Sequence, residues 1–189
     1  MVRLLVPVLF VAATTIAAAQ SPLAPVRIEP PGGGVAIVVT ATGVEQDPVA
    51  VAAKWDARPA CLADLPCFVA SWIAANAAGS LDNLKALRAP AERPQLDQRL
   101  RDPQVLARNS ARFAAIKKWS FLGWVDYGTY RIVLLVHEDN DSPVPGVYTL
   151  PLKKTDTQWT QTDTLASDSG IYEMVDKMGR VILARHQKR

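Results

Sequence analysis

The feature that most constrains this chain is a period-2 hydrophobic alternation between Lys117 and Leu165. From Thr129 to Glu138, Tyr130, Ile132, Leu134 and Val136 share one face of an extended segment, while Arg131, Val133, Leu135 and His137 share the other. Val147 to Lys154 repeats the pattern through Tyr148, Leu150 and Leu152, and Pro151 on the opposite face predicts a bulge or an edge. Lys118 to Tyr127 supplies a strand before these and Trp159 to Leu165 one after, with Thr160, Thr162 and Thr164 predicting an exposed face. Polar turn segments separate the runs, so the expectation is an antiparallel meander. A regular first strand would put Trp119 and Phe121 on one face and Leu122 and Trp124 on the other. Both faces being apolar, the sheet should be covered twice: once by helices, and again by the terminal helix, the N-terminal arm or a partner.

Helices are expected upstream. Asp64 with Pro66 starts one that carries Phe68, Val69, Trp72, Ile73 and Ala77 and stops at Gly79. Ser80 then caps a shorter helix with Leu81, Leu84 and Leu87, ended by Pro90. A further turn or two is expected from Pro94 to Leu100. Asp102-Pro103 opens a longer helix with Leu106, Phe113 and Ala114 inward and Arg108, Arg112 and Lys117 in solvent. After the sheet, Ile171, Met174, Val175, Met178 and Ile182 recur at helical spacing, and the tail Arg185 to Arg189 is basic.

The N-terminus carries targeting chemistry. Arg3, the uncharged Leu4 to Ala19 run and Ala17-Ala18-Ala19 match a signal peptide at residues 1–19, cleaved after Ala19. The run is short for a retained span and holds Pro7, so no stable membrane span is expected after cleavage. Residues 20–34, with Pro22, Pro25, Pro30, Pro31 and three glycines, predict an irregular arm. A single α+β domain is then expected over 35–189. It begins with a buried strand from Val35 to Thr42 and a weaker one from Val49 to Trp55, with Glu45-Gln46-Asp47-Pro48 connecting them. Cys61 and Cys67 are the only cysteines, and a periplasmic or secreted location would pair them as a structural disulfide.

Composition excludes several functions. The formal charge of +3 becomes +2 once Arg3 leaves, with 20 lysines and arginines against 18 acids, too even a balance for nucleic-acid binding. Two histidines, His137 and His186, with both cysteines in a disulfide, leave no set for a metal site. No Gly-x-Ser-x-Gly elbow, P-loop or EF-hand pattern is present. No cofactor is expected.

Helices followed by an antiparallel meander define an α+β fold, and the run from Ala74 to Pro90, with Gly79-Ser80 separating two helices, resembles the corresponding passage of NTF2-like, or SnoaL-like, proteins. Gly128 to Lys154 resembles their central hairpin and Trp159 to Leu165 their last strand, so the resemblance spans Pro66 to Asp168. It implies N-terminal helices on a curved, cone-like sheet with an apolar pocket between them, often in a dimer. Catalytic members place an Asp with a His or Tyr in the cone. Here the candidates are Asp126, Tyr127, Tyr130 and His137, with Asp126 expected to shape a turn and His137 to lie exposed.

The expectation is therefore a bacterial envelope domain that binds an apolar small molecule or an envelope protein without catalysis. The alternatives are an NTF2-like isomerase or hydrolase and an accessory component of an envelope or secretion assembly. The expected binding residues are Trp72, Phe113, Trp119, Trp124, Tyr130 and Tyr148, and a homodimer could form through the partly apolar sheet face.

Overall fold

The structure is a computed structural model that describes residues 21–23, 25–28, 37–39, 41–140, 142, 144–167 and 169–188. The expected signal peptide, Gln20 and the glycine run of the arm lie outside the described residues, as do Val35, Ala36 and Thr40 of the first expected strand. In chain order the elements are β1 (Ser21–Pro22), β2 (Val26–Ile28), β3 (Ile37–Val39), β4 (Thr42–Val51), α1 (Pro59–Ala63), α2 (Leu65–Ala78), α3 (Leu81–Ala86), α4 (Arg93–Arg99) and α5 (Pro103–Ala115). They continue with β5 (Ile116–Tyr127), β6 (Tyr130–Asp139), β7 (Gly146–Lys154), β8 (Trp159–Gln161) and α6 (Ser169–Gln187). This is an α+β fold whose main sheet is antiparallel in the order β1-β4-β5-β6-β7-β8, with β2 and β3 paired separately.

The helix boundaries follow local chemistry. Asp64 accepts a hydrogen bond from Cys67 N at the start of α2, Ser80 from Asn83 N at the start of α3, and Asp102 from Gln104 N at the start of α5. Gly79 ends α2 in the left-handed region at φ 60°, where its N–H returns to Ala75 O and Asn76 O. Cys61 and Cys67 form the expected disulfide, which joins α1 to the first turn of α2.

Four expectations are corrected. The arm is not wholly irregular, because Ser21–Pro22 pairs with Thr42–Gly43 and Val26–Ile28 pairs with Ile37–Val39. Residues 45–48 are not a connection: they lie inside β4, whose register on β5 shifts between Glu45 and Val49. That shift lets Asp47 and Pro48 bow away from the ladder, which removes the conflict between proline and a paired strand. The last strand ends at Gln161, and Thr164–Ser167 is a 3₁₀ turn. Its threonines do not form an exposed row, since Thr160 and Thr162 are buried and only Thr164 is exposed. Ala114 faces solvent, because α5 buries only Phe113 fully.

A second irregularity decides which residues share a face. On β5 the register against β6 shifts between Phe121 and Gly123, leaving Leu122 as an extra residue. Trp119, Phe121 and Trp124 therefore all join the core beneath the N-terminal helices, whereas Leu122 and Val125 join the opposite core. Regular alternation would have separated Phe121 from Trp124 correctly by parity and wrongly by fold. Gly123 makes the bulge possible: its φ is 142°, and a Cβ there would overlap Val44 O.

Both sheet faces are covered by this chain. One core combines Phe68, Val69, Trp72 and Ile73 of α2 with Trp119, Phe121, Val133, Leu135, Leu150 and Leu152. The other packs Ile171, Val175, Met178 and Ile182 of α6 on Leu122, Ile132, Leu134 and Val136. The partly apolar face on which a homodimer was expected, with Val133 and Leu135, is thus covered by the N-terminal helices, and α6 covers the wholly apolar face. The C-terminal tail is held as well, because Arg185 Nη1 lies 3.4 Å from Glu45 Oε2 and His186 Nδ1 lies 2.8 Å from Asp47 Oδ1. Glu45, the last paired residue before the bow, and Asp47 within it supply the two acids, so the end of α6 is anchored at the irregularity that the sequence pattern concealed.

Candidate ligand-binding cavity

The helices do not close completely on the sheet. A cavity of about 330 Å³ remains between α2 to α5 on one side and β7 with the end of β8 on the other. Trp72, Tyr148 and Leu150 form its inner wall, and Leu84, Leu96, Leu100 and Val105 form its helical side. Asn76, Asn109 and Gln161 bring amide groups to it, while Arg88, Arg99 and Asp163 bring charge. The lining is mixed, with seven of its fifteen residues polar or charged, so it is more polar than the general run of small-molecule sites. Its volume is at the lower end of their range of roughly 300–1,000 Å³.

Each polar group is positioned by a traceable contact. Asn76 Nδ2 donates to Trp72 O at 2.9 Å, one turn back on α2, and Asn109 Nδ2 donates to Asn76 Oδ1 at 3.0 Å, tying α5 to α2. Trp72 Nε1 donates to Gln161 Oε1 at 3.1 Å. Gln161 N donates to Leu87 O at 2.8 Å, and Arg88 bridges Gln161 in parallel, so the segment after α3 is stitched to the end of β8.

That stitching buries Arg88, which is only 2% exposed. Its Nη1 lies 2.5 Å from Asp163 Oδ2, and Arg99 Nη1 donates to the same oxygen at 2.9 Å. Arg88 Nε is buried without a hydrogen-bond partner among the described residues. Glu92 Oε2 also lies 3.6 Å from Arg88 Nη1, while Thr162 Oγ1 donates to Glu92 Oε1 at 2.6 Å and Asp163 N to Oε2 at 3.2 Å. Tyr148 stands between these charges and the aromatic core. Burial raises its phenol pKa above the usual value, an effect reinforced by Asp163 and opposed by Arg112, Arg99 and Arg88. It therefore presents a neutral hydroxyl at physiological pH.

Of the expected binding residues, the structure gathers Trp72, Phe113, Trp119 and Tyr148 into one cluster with ring centroids 5.1 to 6.2 Å apart. Only Trp72 and Tyr148 of these reach the cavity; Phe113 and Trp119 pack behind them. Trp124 lies away, 6.0 Å from Phe121 and under Arg131, whose guanidinium carbon is 4.4 Å from its ring centroid. Tyr130 belongs to the opposite face with α6.

The catalytic candidates fall in different places. Asp126 does not shape a turn but pairs with Arg131 at 2.8 Å across β5 and β6. It borders, with Tyr130, a shallow recess at the β5–β6 turn. Tyr127 is exposed at that turn. His137 is not in solvent: its side chain is 12% exposed, its ring is 5.6 Å from Trp119, and its Nδ1 lies 2.9 Å from Asp139 Oδ1. Arg131 and His137 are six residues apart on β6, which separates Asp126 from His137 by about 20 Å. Asp56, Cys61 and Cys67 also come together, but the disulfide leaves no thiolate for a metal.

Arg88, Arg99, Asn76, Asn109, Gln161 and Asp163 were not among the expected site residues. Asn76 carried the one usable signal, a polar residue four positions after Trp72 on an otherwise apolar helix face.

No family model and no curated protein matches this chain. Among solved structures, the chain is similar to a SEC-C motif containing protein from Rhodopseudomonas palustris, with 16% identity over 53% of this chain and 77% of that one and a TM-score of 0.37. That similarity is too slight to assign a family or a role.

Proposed function

We propose that this chain is an exported, non-catalytic binding module of the bacterial envelope that takes a small apolar molecule into the cavity between its helices and its sheet. The observation that carries this reading is the cavity itself, whose apolar walls are Trp72, Tyr148, Leu150 and four aliphatic side chains, beside three amides and the charged Arg88, Arg99 and Asp163. Export is supported by the leader chemistry of residues 1–19 and fits the Cys61–Cys67 disulfide. The arrangement of helices before a meander supports the resemblance to NTF2-like proteins, whose pocket lies between helices and sheet. Binding is favoured over catalysis because the two ionisable oxygens at the cavity, on Asp163 and Tyr148, are respectively held by two arginines and kept protonated. A small molecule is favoured over a protein partner because both sheet faces are covered by this chain, the partly apolar one by the N-terminal helices and the other by α6.

Titrating the mature chain with octanoate and with 1-octanol, read by tryptophan fluorescence and by the rise in Tm, tests the reading. At least one of the two is expected to bind saturably, and Val105→Trp, which fills the cavity, to abolish the response. No saturable response to either, with Val105→Trp indistinguishable from the natural chain, would overturn it.

A further inference from the structure

Resting on that reading, we infer that the cavity is specific for an amphipathic monocarboxylate, whose acid group sits between Arg88 and Arg99 and whose apolar body lies against Trp72 and Tyr148. The lining holds two guanidinium groups and a single carboxylate, Asp163. Asp163 uses one oxygen for both cations, at Arg88 Nη1 and at Arg99 Nη1, so one acid is shared by two arginines. Glu92, the other acid near Arg88 at 3.6 Å, lies outside the lining and is engaged by Thr162, Thr164 and the Asp163 backbone.

The donor count leads the same way. A guanidinium offers five N–H groups in a planar fork; Arg99 Nη1 donates one to Asp163, while Arg88 Nη1 only lies beside the same oxygen in an ion pair. Arg88 Nε and Nη1 are buried and make no hydrogen bond among the described residues, a costly condition that leaves this guanidinium short of acceptors. Arg88 cannot swing away to find water, because its backbone is bridged to Gln161 and its side chain is enclosed. Arg99 is half exposed and forms the outer member of the pair. The same cavity is lined by Trp72, Tyr148 and the aliphatic side chains, which would take an apolar tail.

The ratio of octanoate to 1-octanol affinity isolates the carboxylate. In the natural chain octanoate is expected to bind at least tenfold more tightly than 1-octanol. Arg99→Gln, at a half-exposed position that leaves the fold intact by circular dichroism, is expected to reduce that ratio at least fivefold by weakening octanoate alone. A ratio near one in the natural chain, or a ratio unchanged by Arg99→Gln, overturns the inference while leaving the cavity reading standing. Absence of binding by both ligands overturns both.

Discussion

Trp72 and Gln161, 89 positions apart in the chain, are joined by an indole N–H donated to the Gln161 side-chain oxygen at 3.1 Å. The bond fixes the ring that walls the cavity and the strand end that carries Arg88 into it. Trp72→Phe should cost about 1–2 kcal/mol, from the lost bond and the smaller ring. A double-mutant cycle with Gln161→Leu, measured by urea unfolding, should give a coupling of about 1 kcal/mol. Strict additivity would show that the bond does not hold the wall.

Gly123 permits the bulge that turns Trp124 toward the helical core while Leu122 and Val125 face α6. Gly123→Ala meets both an unfavourable φ and the Val44 carbonyl, so a loss of about 2 kcal/mol or more is expected in equilibrium unfolding. A loss below about 0.5 kcal/mol would mean that the two strands can be re-registered cheaply.

How far the sequence revealed the fold follows from these irregularities. Asp64, Ser80, Asp102 and the proline beside each longer helix start act through local hydrogen bonds, so α2, α3 and α5 were visible from residue identity. The alternation in β6 and β7 was visible for the same reason, the ladder between them being regular along its length. The bulges at Leu122 and at residues 46–48 were hidden because they depend on how two strands meet. A one-residue insertion reverses the faces without changing the composition of the run. The charged end of the cavity was hidden for a related reason: Arg88 and Asp163 are ordinary loop residues until Gln161 pairs beside Leu87 and Arg88. The aromatic wall was partly legible, since Trp72 and Tyr148 were expected to bind and reach the cavity, while Trp124 and Tyr130 do not.

Tyr148 supplies a pH dependence. Its folded pKa is raised, chiefly by burial, so its contribution to stability is complete below the unfolded value of about 10 and is lost as pH rises through the folded value. Between the two, the unfolded chain ionises and the folded chain does not. Unfolding free energy should therefore fall more steeply above pH 10 in the natural chain than in Tyr148→Phe, and absorbance at 295 nm should show one of the four tyrosines titrating late. Identical slopes would place Tyr148 in contact with bulk water.

The Cys61–Cys67 disulfide closes a short loop between α1 and α2. Replacing both cysteines by alanine should lower stability by about 2 kcal/mol, mainly through the freedom returned to the unfolded chain. Measured octanoate affinity should be unchanged, because neither residue lines the cavity. A parallel loss of affinity would show that the staple also sets the position of α2.

The most direct test of the cavity is the indole N–H resonance of Trp72 in a nitrogen-15 spectrum, assigned by its absence in Trp72→Phe. On adding octanoate, the Trp72 signal should move saturably, while the signal of Trp159, which lies at the Arg131 recess, stays in place. A stationary Trp72 resonance, or equal shifts of both indoles, would contradict ligand binding between the helices and the sheet.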